Sequence, residues 1–135
     1  MQQYTLENAA GMRCKIITYG GILTEWSCIN PENTRTDIVL GFDCLDDYLA
    51  GHPYFGATTG RVAGRISGAR FTLDDKIINL AVNDPPNHLH GGDVGLDKRL
   101  WKVEKAGASS LELSYFSPDG EEGYPGNVQF HTTYS

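Results

Sequence analysis

The chain has 135 residues with 40% hydrophobic and 21% charged side chains, a composition that packs one core and leaves no room for a second ordinary domain. Its 17 acidic and 11 basic side chains leave a net charge of −6 with no run of Lys or Arg, which excludes nucleic acid and anionic membrane surfaces as partners. No apolar stretch approaches the ~18 residues of a spanning helix, and Met1 to Arg13 lacks the apolar core of a secretion signal, so a cytoplasmic, soluble single domain over residues 1–135 is expected.

In chain order, 16 glycines and 6 prolines cut the polypeptide into pieces too short for long helices, which predicts an all-β protein. Cys14, Cys28 and Cys44 are too widely spaced for a metal motif or a disulfide framework, and their apolar neighbours place them in strand interiors. Ile22 to Ile29 alternates as a strand does. Thr36 to Phe42 is a second apolar run of strand length, and Asp43 to Ala50 is the one stretch suited to a helical turn. Phe71-Thr72-Leu73 and Ile77 to Val82 flank Asp74-Asp75-Lys76, a polar connection of hairpin type. Further on, Leu111 to Tyr115 and Val128 to Tyr134 alternate apolar and polar positions, the pattern of strands with one wet face. The last of these still alternates as the chain ends, leaving an edge for another chain or for further polypeptide to pair with.

Two segments offer chemistry. In Gly60 to Ile66, a continuous strand would send Arg61 and Arg65 to one face, where guanidinium forks suit hydroxyl or carboxylate oxygens; a structural ion pair is the other use of such arginines. In Asn87-His88-Leu89-His90-Gly91-Gly92, an extended backbone points both histidines the same way, and a metal shared with His131 or Asp93 is one reading. The glutamate that a cupin places four or five residues later is replaced by Val94 and Gly95, so no metal site is expected. The other reading takes His90 as a proton or hydrogen-bond donor, with Gly91-Gly92 clearing space for a ligand beside the imidazole. Turn chemistry alone also accounts for the loop.

Four ordered blocks carry a resemblance. Asn87 to Gly92 followed by Gly95 to Trp101, together with Tyr19 to Ile22, Gly60 to Ile66 and Ser117 to Gly126, is similar to the aldose 1-epimerases, or galactose mutarotases, across essentially the whole chain. The resemblance implies the N-terminal portion of an antiparallel β-sandwich that interconverts the α and β anomers of an aldohexose such as galactose or glucose, without a cofactor. His90 then matches the histidine that lies at the sugar and polarises the ring-oxygen region, and Arg65 matches a ligand of the sugar hydroxyls. Gly64 stands where many relatives carry asparagine, which removes one amide from that contact. Family members are more than twice as long, and their catalytic glutamate base and principal histidine acid lie in the later half, without counterparts here. The implied expectation is an epimerase whose 135-residue portion is inactive alone; a non-catalytic sugar-binding module is the alternative. Arg61, His88, Asp97 and the Ser117 to Gly126 loop are expected to be scaffold, and Trp101 core.

Overall fold

A computed structural model describes residues 1–135. Strands β1 (Gln3–Glu7), β2 (Arg13–Ile17), β3 (Ile22–Ile29) and β4 (Arg35–Asp37) form an antiparallel sheet in that order. Asparagines make two of its turns. Asn8 Oδ1 accepts the N–H groups of Ala10 and Met12, both at 3.0 Å, and Asn30 Oδ1 accepts those of Glu32 at 3.1 Å and Thr34 at 2.9 Å. Helix α1 (Leu45–Ala50) follows where the helical turn was expected. Four short strands come next: β5 (Arg65–Ile66) pairs with β8 (His88–Leu89), and β6 (Arg70–Leu73) with β7 (Lys76–Asn79). The turn between β6 and β7 is Asp74-Asp75, both at positive φ (48° and 61°), which brings the two strands into a tight hairpin. The chain closes with β9 (Lys102–Ala106), β10 (Leu111–Ser117) and β11 (Val128–Tyr134), with β10 in the middle of an antiparallel sheet.

Apolar residues of the two larger sheets meet face to face. Leu6 and Ile16 pack on Leu111 and Leu113, with Leu96 and Trp101 completing the cluster. Trp101 is buried as expected and donates its indole N–H to Leu96 O at 3.0 Å. A smaller cluster of Ile17, Ile22 and Tyr48 pins α1 to the first sheet, and the Tyr48 hydroxyl accepts the Phe42 N–H at 2.9 Å. The chain is all-β, as its punctuation by glycine and proline predicts, its architecture is the antiparallel β-sandwich that the resemblance implied, and no helix is long and apolar enough to cross a membrane.

Three expectations fail. The second hairpin strand, foreseen over Ile77 to Val82, ends at Asn79, because the Ala81 N–H leaves the hairpin to donate to Glu122 O at 3.1 Å. The strand foreseen over Thr36 to Phe42 stops at Asp37, because Asp37 Oδ1 accepts the N–H groups of Trp26 at 3.0 Å and Val39 at 3.1 Å and turns the chain off the sheet. Ile38 and Leu40 are left exposed. Cys14 and Cys28 lie within strands, but Cys44 is exposed at the start of α1 and sits outside any strand.

Candidate functional site

The Gly60 to Ile66 segment is not one strand. Gly64 takes φ 84°, only Arg65 and Ile66 pair with a neighbour, and the two arginines engage different parts of the molecule. Arg61 spends all of its donors on the 117–126 loop: Nε on Ser117 Oγ (2.8 Å), Nη1 on Pro125 O (3.1 Å) and Gly126 O (2.8 Å), and Nη2 on Ser117 O (3.1 Å) and Pro118 O (2.7 Å). Arg65 keeps 60% of its side chain exposed and makes one ion pair, Nε to Asp84 Oδ2 at 2.6 Å. Asp84 in turn exchanges backbone hydrogen bonds with Asn87 across the Pro85-Pro86 turn.

The histidines separate as well. His88 is fully buried, with Nδ1 2.8 Å from Ala81 O and Nε2 2.7 Å from the Tyr124 hydroxyl, so neither ring nitrogen is free for a metal. His131 lies far along the chain on exposed β11. The shared direction expected for His88 and His90 is lost because His90 leaves the extended conformation at φ 50°. Its backbone N–H donates to Gly64 O at 3.0 Å and its Nδ1 accepts the Gly64 N–H at 3.0 Å, a reciprocal clasp between the two segments. With Nδ1 an acceptor, the neutral ring carries its proton on Nε2. Arg65 lies across the ladder from Leu89, so the guanidinium and the imidazole belong to adjacent positions of one bridge. The following glycines serve packing rather than ligand space. A Cβ on Gly91 would collide with Gly60 O, and one on Gly92 with the Glu122 carboxylate, which accepts the N–H groups of Asp93 (2.9 Å) and Val94 (3.0 Å). Gly64 is the open position, with nothing within 4 Å of where a side chain would start.

Four contributors were not foreseen. Asn83 clamps the histidine loop, donating to Leu89 O (2.8 Å) and Gly92 O (2.9 Å) and accepting from Leu89 N (2.7 Å). Asp84 orients Arg65. Tyr54 lays its ring against His90 with centroids 4.5 Å apart, and His52 accepts the Tyr54 N–H on Nδ1 at 3.1 Å. Behind His52 lies Asp97, and both side chains are 1% exposed. Burial lowers the His52 pKa, against the pull of the Asp97 charge; burial also raises the Asp97 carboxyl, opposed by Lys98 and by the nearby histidines. The Tyr54 hydroxyl is raised by burial and then by the Asp97 and Asp84 charges. The Asn83-Asp84 pair beside two prolines is a turn signal in the sequence, but no spacing rule marks Tyr54 or His52.

A cavity of about 490 Å³ lies elsewhere, among Leu6, Met12, Cys14, Leu23, Trp26 and Tyr134, and shares no residue with the Arg65–His90 bridge. The bridge itself is an open surface, suited to presenting a guanidinium fork and an imidazole N–H to a polyhydroxylated ligand.

The family model described as aldose 1-epimerase matches residues 2–135. The chain is 47% identical to the galactose mutarotase of Sus scrofa over 92% of its own length and 36% of that protein. It is 39% identical to the aldose 1-epimerase of Haemophilus influenzae over 99% of its length and 38% of that protein. Among solved structures, an aldose epimerase homologue from C. elegans superposes with a TM-score of 0.94 at 29% identity, covering 99% of this chain and 41% of that one. A galactose 1-epimerase from Lactobacillus acidophilus superposes with a TM-score of 0.81 at 33% identity, covering 96% of this chain and 38% of that one. The chain thus spans little more than a third of the relatives it matches, and it belongs to the aldose 1-epimerase family.

Proposed function

We propose that this chain is the N-terminal, sugar-positioning part of a cytoplasmic aldose 1-epimerase acting on galactose or glucose. The observation that carries the reading is the β5–β8 bridge, where an exposed Arg65 guanidinium and the Nε2–H of a clasped His90 belong to neighbouring positions. A guanidinium fork holds sugar hydroxyl oxygens, and the imidazole donor draws electron density from the ring oxygen as the C1 to ring-oxygen bond opens. Anomer exchange also needs a base to take the anomeric proton and an acid to protonate the ring oxygen; after ring opening the C1–C2 bond rotates and the ring recloses on the other face. The family supplies that glutamate and histidine from a later part of the polypeptide. No cofactor enters this scheme. The proposed partner for the β11 edge and the nearby cavity is further polypeptide of the length the relatives possess.

The 135-residue chain alone is therefore expected to show no measurable exchange, since general acid and general base each supply ~10²- to 10⁴-fold. In an intact protein that includes this chain, His90→Ala and Arg65→Ala should each lower anomer exchange at least ~10-fold, as followed by polarimetry of freshly dissolved α-galactose. Wild-type rates in both variants would remove these residues from the site. The alternative, a non-catalytic sugar-binding module, predicts saturable hexose binding and no exchange even in the intact protein.

A further inference from the structure

Behind the His90 ring lies a buried pair that the proposed sugar contacts do not use. His52 Nε2 and Asp97 Oδ2 are 3.9 Å apart, beyond hydrogen-bond range, and neither His52 Nε2 nor either Asp97 oxygen has a hydrogen-bond partner. Groups this deeply buried are costly to leave unpartnered, so their placement calls for a physical reason. The other ring nitrogen supplies one. His52 Nδ1 accepts the N–H of Tyr54, two residues on, which puts the ring proton on Nε2, facing the Asp97 carboxylate.

Tyr54 stands at φ 62°, a left-handed conformation that a bulky side chain adopts only when its surroundings hold it there. Its ring rests on His90, centroids 4.5 Å apart and planes inclined by 52°, while His52 meets Tyr54 edge-on at 6.0 Å. His90 is left-handed too, and it too uses Nδ1 to accept a backbone N–H, that of Gly64. Two non-glycine residues of unfavourable φ thus brace one another, each tied by an imidazole Nδ1 to the main chain. The line of contact runs from Asp97 through His52 and Tyr54 to His90.

We propose that His52 is a positioning residue: by capping the Tyr54 N–H, with Asp97 facing its other side, it holds the Tyr54 ring against His90 and so keeps the His90 Nε2–H directed outward. The significance of this for catalysis rests on His90 being the sugar-facing histidine, but the arrangement can be tested without sugar. In the ¹⁵N-labelled 135-residue chain at a pH where the histidines are neutral, long-range ¹H–¹⁵N spectra report which nitrogen of each ring carries the proton. His90 should give a single Nε2–H tautomer pattern. His52→Ala should convert it to the averaged pattern of a ring exchanging between tautomers, and His52→Asn should restore it, because an asparagine oxygen makes the same bond to the N–H two residues on.

A folded His52→Ala chain with an unchanged His90 pattern overturns the proposal, as does a His52→Asn chain that folds yet fails to restore it. A mixed His90 pattern in the unsubstituted chain also overturns it. If His52→Ala does not fold, Tyr54→Gly decides: glycine takes the positive φ without strain and removes the ring, so the proposal requires the single-tautomer pattern to be lost. Galactose titrated into the same samples keeps the two ideas apart. Failure to bind sugar counts against the assigned role of His90, whereas the tautomer patterns alone judge His52.

Discussion

Two parts of this molecule are held together by different physics. Between the larger sheets, Leu6, Ile16, Leu111 and Leu113 are buried at 4% exposure or less and are held by apolar contact, which is non-directional and scales with area. From His52 to Arg99 there is little regular structure. There the chain is held by side chains that bond to backbone, with Arg61, Asn83, His90 and Glu122 each tying two segments together. A region of the first kind tolerates changes of shape at constant volume. One of the second kind does not, because each lost side chain leaves directional donors or acceptors unpaired.

Substitution in the two regions puts this contrast to the test. Leu113→Ala, at a position with 0% exposure, is expected to cost about 2–5 kcal/mol in urea unfolding, while Leu113→Met should cost less than about 1.5 kcal/mol. Arg61→Ala removes five hydrogen bonds to the 117–126 loop and a contact with the Tyr124 ring 5.7 Å away. A loss of about 2–3 kcal/mol is expected, and here the conservative Arg61→Lys should recover little, since a point ammonium cannot reach carbonyls on both sides of the loop. If Arg61→Lys were as mild as Leu113→Met, the distinction between the two regions would collapse.

The same contrast explains what was legible in the sequence. Strands β3 and β11 could be bounded to the residue, because alternation of apolar and polar side chains is a direct consequence of lying on a sheet. The β6–β7 hairpin was legible from its two aspartates. Periodicity failed where one side chain captured the backbone: Asp37 ended a strand that hydrophobicity alone would have continued to Phe42. It failed again at Gly64 and His90, whose positive φ angles broke the parity that would have aligned Arg61 with Arg65 and His88 with His90. Arg65 and His90 were marked by the glycines around them as a possible guanidinium fork and hydrogen-bond donor, but only the resemblance tied the two to a sugar. Their supports Tyr54 and His52 left no trace, since a ring-on-ring contact over 36 residues of sequence has no local signature.

A smaller effect separates the polar face of the sandwich from its core. Glu25 on β3 is desolvated, which alone would raise its pKa, but hydrogen bonds from Lys15, Ser27 and Arg13 outweigh that and bring the carboxyl down to about 2. A carboxylate depressed on folding contributes stability above its ordinary value of 4.5, and this contribution fades as pH falls toward 2. Glu25→Gln is accordingly expected to cost about 1 kcal/mol at neutral pH and nothing near pH 2, measured by urea unfolding across that range. An equal cost at both ends would mean that the side chain acts through packing and not through charge.

The smallest change in stability is expected at Asp84, and it bears most directly on the site. Its ion pair with Arg65 is short, but the two side chains are 35% and 60% exposed, and exposed pairs of this kind contribute about 0.2–1 kcal/mol. Asp84→Ala should therefore shift the unfolding free energy by no more than about 0.5 kcal/mol. Arg61 and Arg65 share a residue type and sit four positions apart, yet one has no donor to spare and the other has nearly all of its fork free. Losing Asp84 frees the Arg65 side chain to sample more rotamers, an entropic cost that a ligand must then meet, so calorimetry with galactose should register a several-fold weaker affinity where stability registers almost nothing. A stability loss above about 1.5 kcal/mol would place Arg65 with Arg61 among the structural clamps and leave His90 without its guanidinium partner.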